Sequence, residues 1–132
     1  MPYRFKLRVY YEDTDAGGVV YYANYLKFAE RARTEMVRAA GIDQSELLEQ
    51  EDIAFVVRKC SADFIRPARL DDELTIESHI TELKGASIHM HQEILRGDEV
   101  LVKLEVKLGV VGKDFTPIRI PNQIAEKLVN DS

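Results

Sequence analysis

Three acids, two glycines and a helix start lie together in YYEDTDAGGVVYYANYLKFAERARTEM, Tyr10 to Met36. The acids are Glu12, Asp13 and Asp15, the glycines Gly17 and Gly18, and the helical pattern begins a few residues later. The first turn of a helix carries backbone N–H groups with no partner of their own, and these attract developing negative charge. A carboxylate beside such donors can act as a nucleophile or as a general base. Asp15 taken alone reads more readily as a turn or capping residue. Gly17 and Gly18 alone mean only a turn, since no phosphate-cradling glycine pattern accompanies them.

The elements that must position this stretch follow from periodicity. Phe5, Leu7 and Val9 alternate with Lys6, Arg8 and Tyr10, which predicts a strand to Tyr11. Asn24 is a candidate helix cap. Tyr25, Phe28, Ala29, Ala32, Met36, Ala39 and Ala40 then follow helical spacing, and Gly41 closes the helix. A short acidic segment from Asp43 to Asp52 offers a helical turn starting near Ser45. From Ile53 the period changes to two. Strands are predicted over Ile53–Ile65, with Cys60, Ala62 and Phe64 on one face, then from Leu74, from Ala86 and from Val100. Turns at Lys84-Gly85 and Arg96–Asp98 predict an antiparallel meander, and Asn122 to Val129 a short last helix. One amphipathic helix of about 16 residues must cover this sheet, leaving edges and an outer face that suggest self-association.

A chain of 132 residues, 45% hydrophobic, reads as one globular domain over its whole length. A net charge of −5 without a long basic block argues against nucleic-acid binding. No apolar run approaches the roughly 20 residues that span a bilayer. The single cysteine excludes an internal disulfide, and a cytoplasmic setting is expected.

The order of a strand, Y-x-D-T-D-x-x-G-V-V-Y, N-Y and an E-R-A-R helix resembles the hotdog-fold acyl-CoA thioesterases. It is most similar to their YbgC-like branch, related to 4-hydroxybenzoyl-CoA thioesterase. FVVRKCSADFIRPARLDDELTIE and GASIHMHQEI extend the resemblance over nearly the whole chain. It implies an α+β hotdog fold, a long antiparallel sheet wrapped around one central helix. It also implies thioester hydrolysis without metal or bound cofactor, coenzyme A being part of the substrate. Homodimers, and often homotetramers, with sites at the subunit interface are implied too. The family's catalytic carboxylate falls on Asp15, the carbonyl-polarising backbone N–H on Tyr22, and a tyrosine implicated in catalysis on Tyr11. Gly17, Gly18 and Val19 are expected to line the substrate. Lys84 and Lys59 are expected to meet coenzyme A phosphates, with Arg58, Arg66 and Arg69 as further candidates. The branch usually has histidine where this chain has Tyr22. A backbone donor survives that change; an imidazole acid or base does not.

A second reading is a non-catalytic acyl-thioester or acyl-carrier binding protein, since YbgC-like proteins are associated with the Tol–Pal envelope system and with phospholipid synthesis. Hydratase chemistry is weaker, because the motif holds no histidine. His79, His89 and His91 fall on polar strand phases and read as a solvated or interface face rather than a metal site. Cys60 falls on an apolar phase and is expected in the core. Glu30, Arg31 and Arg33 are expected to form ion pairs along the helix.

Overall fold

The structure, a computed structural model, describes residues 2–131; Met1 and Ser132, the two ends of the expected single-domain span, lie outside the described residues. In chain order the elements are β1 (Tyr3–Arg8), α1 (Ala23–Ala39), α2 (Gln44–Glu51), β2 (Ala54–Phe64), β3 (Glu73–Lys84), β4 (Ser87–Arg96), β5 (Glu99–Val111) and α3 (Asn122–Asp131). The strands form one antiparallel sheet in the order β1-β3-β4-β5-β2.

Only β3, β4 and β5 form the expected meander. β2 does not pair with the strand that follows it: it crosses to β5, from Ala54↔Val111 to Phe64↔Val102, while β1 takes the free edge of β3. Residues 65–72 make this crossing, and Pro67 within them is unsuited to a tight hairpin between paired strands. β1 stops at Arg8, short of the predicted Tyr11, because Tyr11–Asp13 turn into one turn of 3-10 helix.

α1 lies across one face of the sheet. Phe28, Ala29, Ala32 and Met36 are buried against Leu74, Ile76, Met90, Ile94, Val102 and Leu104, all within one contiguous core. The small Ala29 and Ala32 let helix and sheet approach closely, so the larger side chains interdigitate around them. The buried stripe runs on through Arg33 and Val37 to Ala40, and the predicted core position Ala39 faces solvent. Gly41, at φ 87°, stops the helix. Two caps differ from expectation. Tyr22, not Asn24, precedes α1, and the Asn24 amide instead donates to the Asp13 carbonyl at 2.9 Å. Asp43, not Ser45, caps α2 by accepting the Glu46 N–H at 3.1 Å.

Beneath α1 the core holds a polar chain that the sequence reading missed. Arg33 donates to Gln92 Oε1 at 2.9 Å and pairs with Glu30 at its outer end. The Gln92 amide donates to the Ala29 carbonyl at 3.0 Å and to Ser78 Oγ at 2.8 Å. Gln92 and Ser78 have no exposed surface, so each needs every one of these bonds.

Candidate active site

Asp15 sits on a small hairpin between α1 and the end of β1. Its N–H donates to the Val19 carbonyl at 2.9 Å, its carbonyl accepts from the Gly18 N–H at 3.0 Å, and Thr14 pairs with Val20. The carboxylate helps fold its own turn, since Oδ1 accepts from the Gly17 N–H at 2.8 Å. Gly18 adopts φ 79°, a left-handed geometry that the turn requires and glycine supplies without strain. Oδ2 has no hydrogen-bond partner among the described residues, and Asp15 is exposed. Asp13 acts as a turn residue: its carboxylate accepts the Tyr10 N–H at 2.8 Å, and its carbonyl accepts the Tyr21 N–H at 2.9 Å.

Tyr22 already has helical backbone angles, φ −57° and ψ −32°, at the entry to α1. Its carbonyl accepts the Tyr25 N–H at 3.2 Å, and its own N–H has no partner among the described residues. A free donor thus points out of the positive end of a 17-residue helix. Beside it the rings of Tyr22 and Tyr25 stand 5.9 and 5.8 Å from Phe64. These three, with Val20, Ile65, Arg66 and Pro67, line an open cleft of about 260 Å³.

The carboxylate hairpin and the helix entry are both tied to one residue in the 65–72 crossing. The Ala68 carbonyl accepts the Val20 N–H at 2.9 Å, and the Ala68 N–H donates to the Tyr25 hydroxyl at 3.0 Å. Val19 bridges to Arg69 on the same segment. Arg96 holds that segment in turn, donating to Asp72 Oδ2 at 2.7 Å, to the Pro67 carbonyl at 3.3 Å and to Glu99 at 2.7 Å. Partial burial works to raise the Asp72 pKa, but the Arg69 N–H and the Arg96 guanidinium outweigh it and hold the carboxyl below its usual range. Burial pushes the Tyr25 hydroxyl above its ordinary value. The Ala68 N–H and Arg96 oppose that rise, and the Asp72 and Asp15 carboxylates add to it.

The structure brings Asp15, Gly17, Gly18, Val19 and the Tyr22 N–H into one region. Tyr11 lies on the 3-10 turn before it, 82% exposed, its side chain making no hydrogen bond among the described residues. Lys84 and Lys59 are elsewhere. The Asp15 hairpin leaves β1 where Arg8 pairs with Glu73, and Lys84 ends the same β3 strand, roughly 35 Å of extended chain away at ~3.3 Å a residue. Lys59 alternates with Cys60, Ala62 and Phe64 and so occupies the sheet face opposite α1. Within one chain neither lysine reaches Asp15. Arg66 lines the cleft and pairs with Glu99 at 3.0 Å, and Arg69 adjoins Val19. A larger, more polar cleft of about 590 Å³ lies at the other end of α1, from Thr34 to Ser45, and includes none of the acid–glycine motif.

Among the described residues no group of three or more His, Cys, Asp or Glu is arranged to hold a metal ion. His91 lies instead between Glu93, at 2.8 Å, and Glu105. Desolvation opposes its protonation, but the two carboxylates raise its pKa overall. Cys60 is exposed, which corrects its expected place in the core: it has the apolar phase, but on the edge strand β2, beyond the cover of α1. Two determinants of the site were missed in the sequence, Tyr25 as the partner of Ala68 and Arg96 as the anchor of the crossing. Tyr25 read as core, and Arg96 as a turn residue. Only the density of charge in R-P-A-R-L-D-D, Arg66 to Asp72, hinted at a pinned loop.

The sequence pattern of the thioesterase superfamily matches residues 17–103. The chain is 46% identical to the acyl-CoA thioesterase YbgC of Haemophilus influenzae, over 92% of this chain and 90% of that protein. It is 40% identical to the acyl-CoA thioesterase YbgC of Helicobacter pylori, over 93% and 97% of the two chains. The crystal structure of a probable thioesterase from Bartonella henselae superposes with a TM-score of 0.88 at 40% identity, covering 92% of this chain and all of the other. No helix among the described residues is long and apolar enough to cross a membrane.

Proposed function

The chain belongs to the thioesterase superfamily, in its YbgC-like branch, and on that footing we propose that it hydrolyses acyl-coenzyme A to the free acid and coenzyme A, with Asp15 as its catalytic carboxylate. The observation that supports this best is the shared residue Ala68, whose N–H and carbonyl set an exposed carboxylate and a free helix N-terminal N–H in fixed relation beside an aromatic cleft.

The acyl group enters the cleft between Tyr22, Tyr25 and Phe64, with its thioester carbonyl oxygen against the Tyr22 N–H. Asp15 either attacks the carbonyl carbon or takes a proton from a water that does so. The oxyanion that forms is held by the Tyr22 N–H and the dipole of α1; one such donor is worth about 2.7–4 kcal/mol in other enzymes. Collapse expels the coenzyme A thiolate, a good leaving group, which takes up a proton. If Asp15 itself has attacked, collapse leaves a mixed anhydride on its carboxylate, and one water then hydrolyses that anhydride to the free acid and restores Asp15.

The working form is a dimer or larger assembly. β2 is an edge strand of 11 residues whose outer backbone groups lack strand partners among the described residues, and its Phe64 and the following Ile65 line the open cleft.

The test is thiol release from a panel of short, long and aromatic acyl-CoAs by wild type and Asp15→Asn. Asparagine keeps the Oδ1 acceptor for Gly17, so the hairpin persists, and turnover should fall roughly 100-fold or more. Near-normal turnover in the variant removes Asp15 from the mechanism. No hydrolysis by folded wild type would leave an acyl-thioester binding protein, for which only Tyr22 in place of the branch's usual histidine speaks.

A further inference from the structure

We infer that Tyr25 is a positioning residue for the hydrolysis: its hydroxyl latches the first turn of α1 to the Ala68 peptide and thereby sets the distance between the Tyr22 N–H and Asp15. This rests on the reading of those two groups as the reacting ones.

The backbone of Ala68 bonds to both halves of the site. Through its carbonyl it takes the Val20 N–H, and Val20 closes the hairpin that carries Asp15. Through its N–H it donates to Tyr25, one helical turn after Tyr22. Ala68 and Tyr25 are both buried, so no water competes for either bond. Among the described residues a further hydrogen-bonded tie between hairpin and helix runs through the Asp13 carbonyl, which accepts from Tyr21 N–H and Asn24 Nδ2. That tie precedes Asp15 in the chain, and the Ala68 tie follows it, so the two together bracket the carboxylate. Were the hydroxyl lost, the hairpin would remain bound to the crossing while the helix entry shifted against both. An oxyanion donor acts over a narrow range of distance, so the penalty appears in turnover rather than in binding.

The experiment compares wild type with Tyr25→Phe, which keeps the ring packed against Phe28 and Phe64 and removes only the hydroxyl. Arg96→Met is the second variant; it frees Pro67 and Asp72 and loosens the same crossing with Tyr25 intact. Leu128→Ala in α3 serves as a destabilised control that touches none of these contacts. The expected result is a tenfold or larger loss of kcat in both variants with KM within about twofold, and a kcat near wild type in the control. Amide exchange at Ala68, at Asn24 and at position 25 should quicken in Tyr25→Phe, while Val20, still bonded to the Ala68 carbonyl, keeps its rate. Wild-type kcat in Tyr25→Phe, or an equal loss in the control, overturns the proposal. If wild type hydrolyses none of the acyl-CoAs, the proposed activity fails separately. The latch is then judged by exchange alone: faster exchange at Asn24 and at position 25, in the helix entry, upholds it, and unchanged exchange there overturns it.

Discussion

Arg96 and Asp72 form an ion pair at 2.7 Å that reaches across from the end of β4 to the crossing segment, and the Arg69 N–H adds a second donor to the same carboxylate oxygen at 2.8 Å. Both side chains are mostly shielded, 32% and 23% exposed. The Asp72 pKa is therefore lowered from its ordinary 3.8, so the folded state is favoured by this group above that pH and loses the advantage as pH falls through the lowered value. Asp72→Asn should cost about 1–2 kcal/mol at neutral pH, a fall in Tm of roughly 3–8 °C. Urea unfolding near pH 7 and again near pH 3 checks the assignment. The gap between wild type and variant should narrow on acidification, and a gap of equal size at both values rules out the charge as its source.

The two glycines beside Asp15 should fail in different ways. A Cβ on Gly17 would stand 3.2 Å from Asp15 Oδ1, pressing on the carboxylate itself. A Cβ on Gly18 meets nothing, but the residue sits at φ 79°, where an L side chain costs roughly 1–2 kcal/mol. Gly17→Ala is expected to hold its stability within about 0.5 kcal/mol and to lose on the order of fivefold to tenfold in kcat. Gly18→Ala is expected to lose stability first. Thermal melts and acyl-CoA turnover on the same two preparations separate these effects, and a Gly17→Ala enzyme at full speed would show that Asp15 Oδ1 lies outside the reaction.

What could be read in advance follows from which interactions are local. The α1 stripe, the alternation of β3 to β5 and the Asp15–Gly18 turn are set by neighbours within a few residues, and they stand as expected except that Ala39 faces solvent and Arg33 and Val37 join the stripe. The pairing of β2 with β5 was not legible, because a strand's pattern records which face is apolar and not which strand lies beside it. Cys60 misled for the same reason: its phase is apolar, but burial depends on where the strand sits in the sheet. Gln92 was visible as a polar residue on the phase of Ile88, Met90 and Ile94, yet its partners Arg33 and Ser78 are 59 and 14 residues away. Tyr25 and Ala68, 43 residues apart, are of the same kind. The residues proposed to react were recognisable as a motif, whereas those that hold them in place depend on long-range contacts.

The exposed side of β2 carries the last expectation. Val57, Cys60 and Phe64 share the helix-facing phase of that strand, with Val57 and Phe64 51% and 46% exposed, and α1 covers the strip only in part, its Tyr25 ring meeting Phe64. An unpaired edge joined to a bare apolar strip is a surface that proteins cover by association. Wild type should therefore sediment as a dimer or larger at micromolar concentration. Cys60→Asp places a charge in the middle of the strip without touching the core, and should weaken association at least tenfold, about 1.4 kcal/mol. Its circular dichroism should stay that of the folded chain. Turnover should fall with the fraction of dimer, because the Phe64 cleft then loses its cover. A monomeric wild type would dismiss the β2 interface, while a Cys60→Asp protein that stays associated and active would move the contact to another face, such as the side of the sheet that bears His79 and His91.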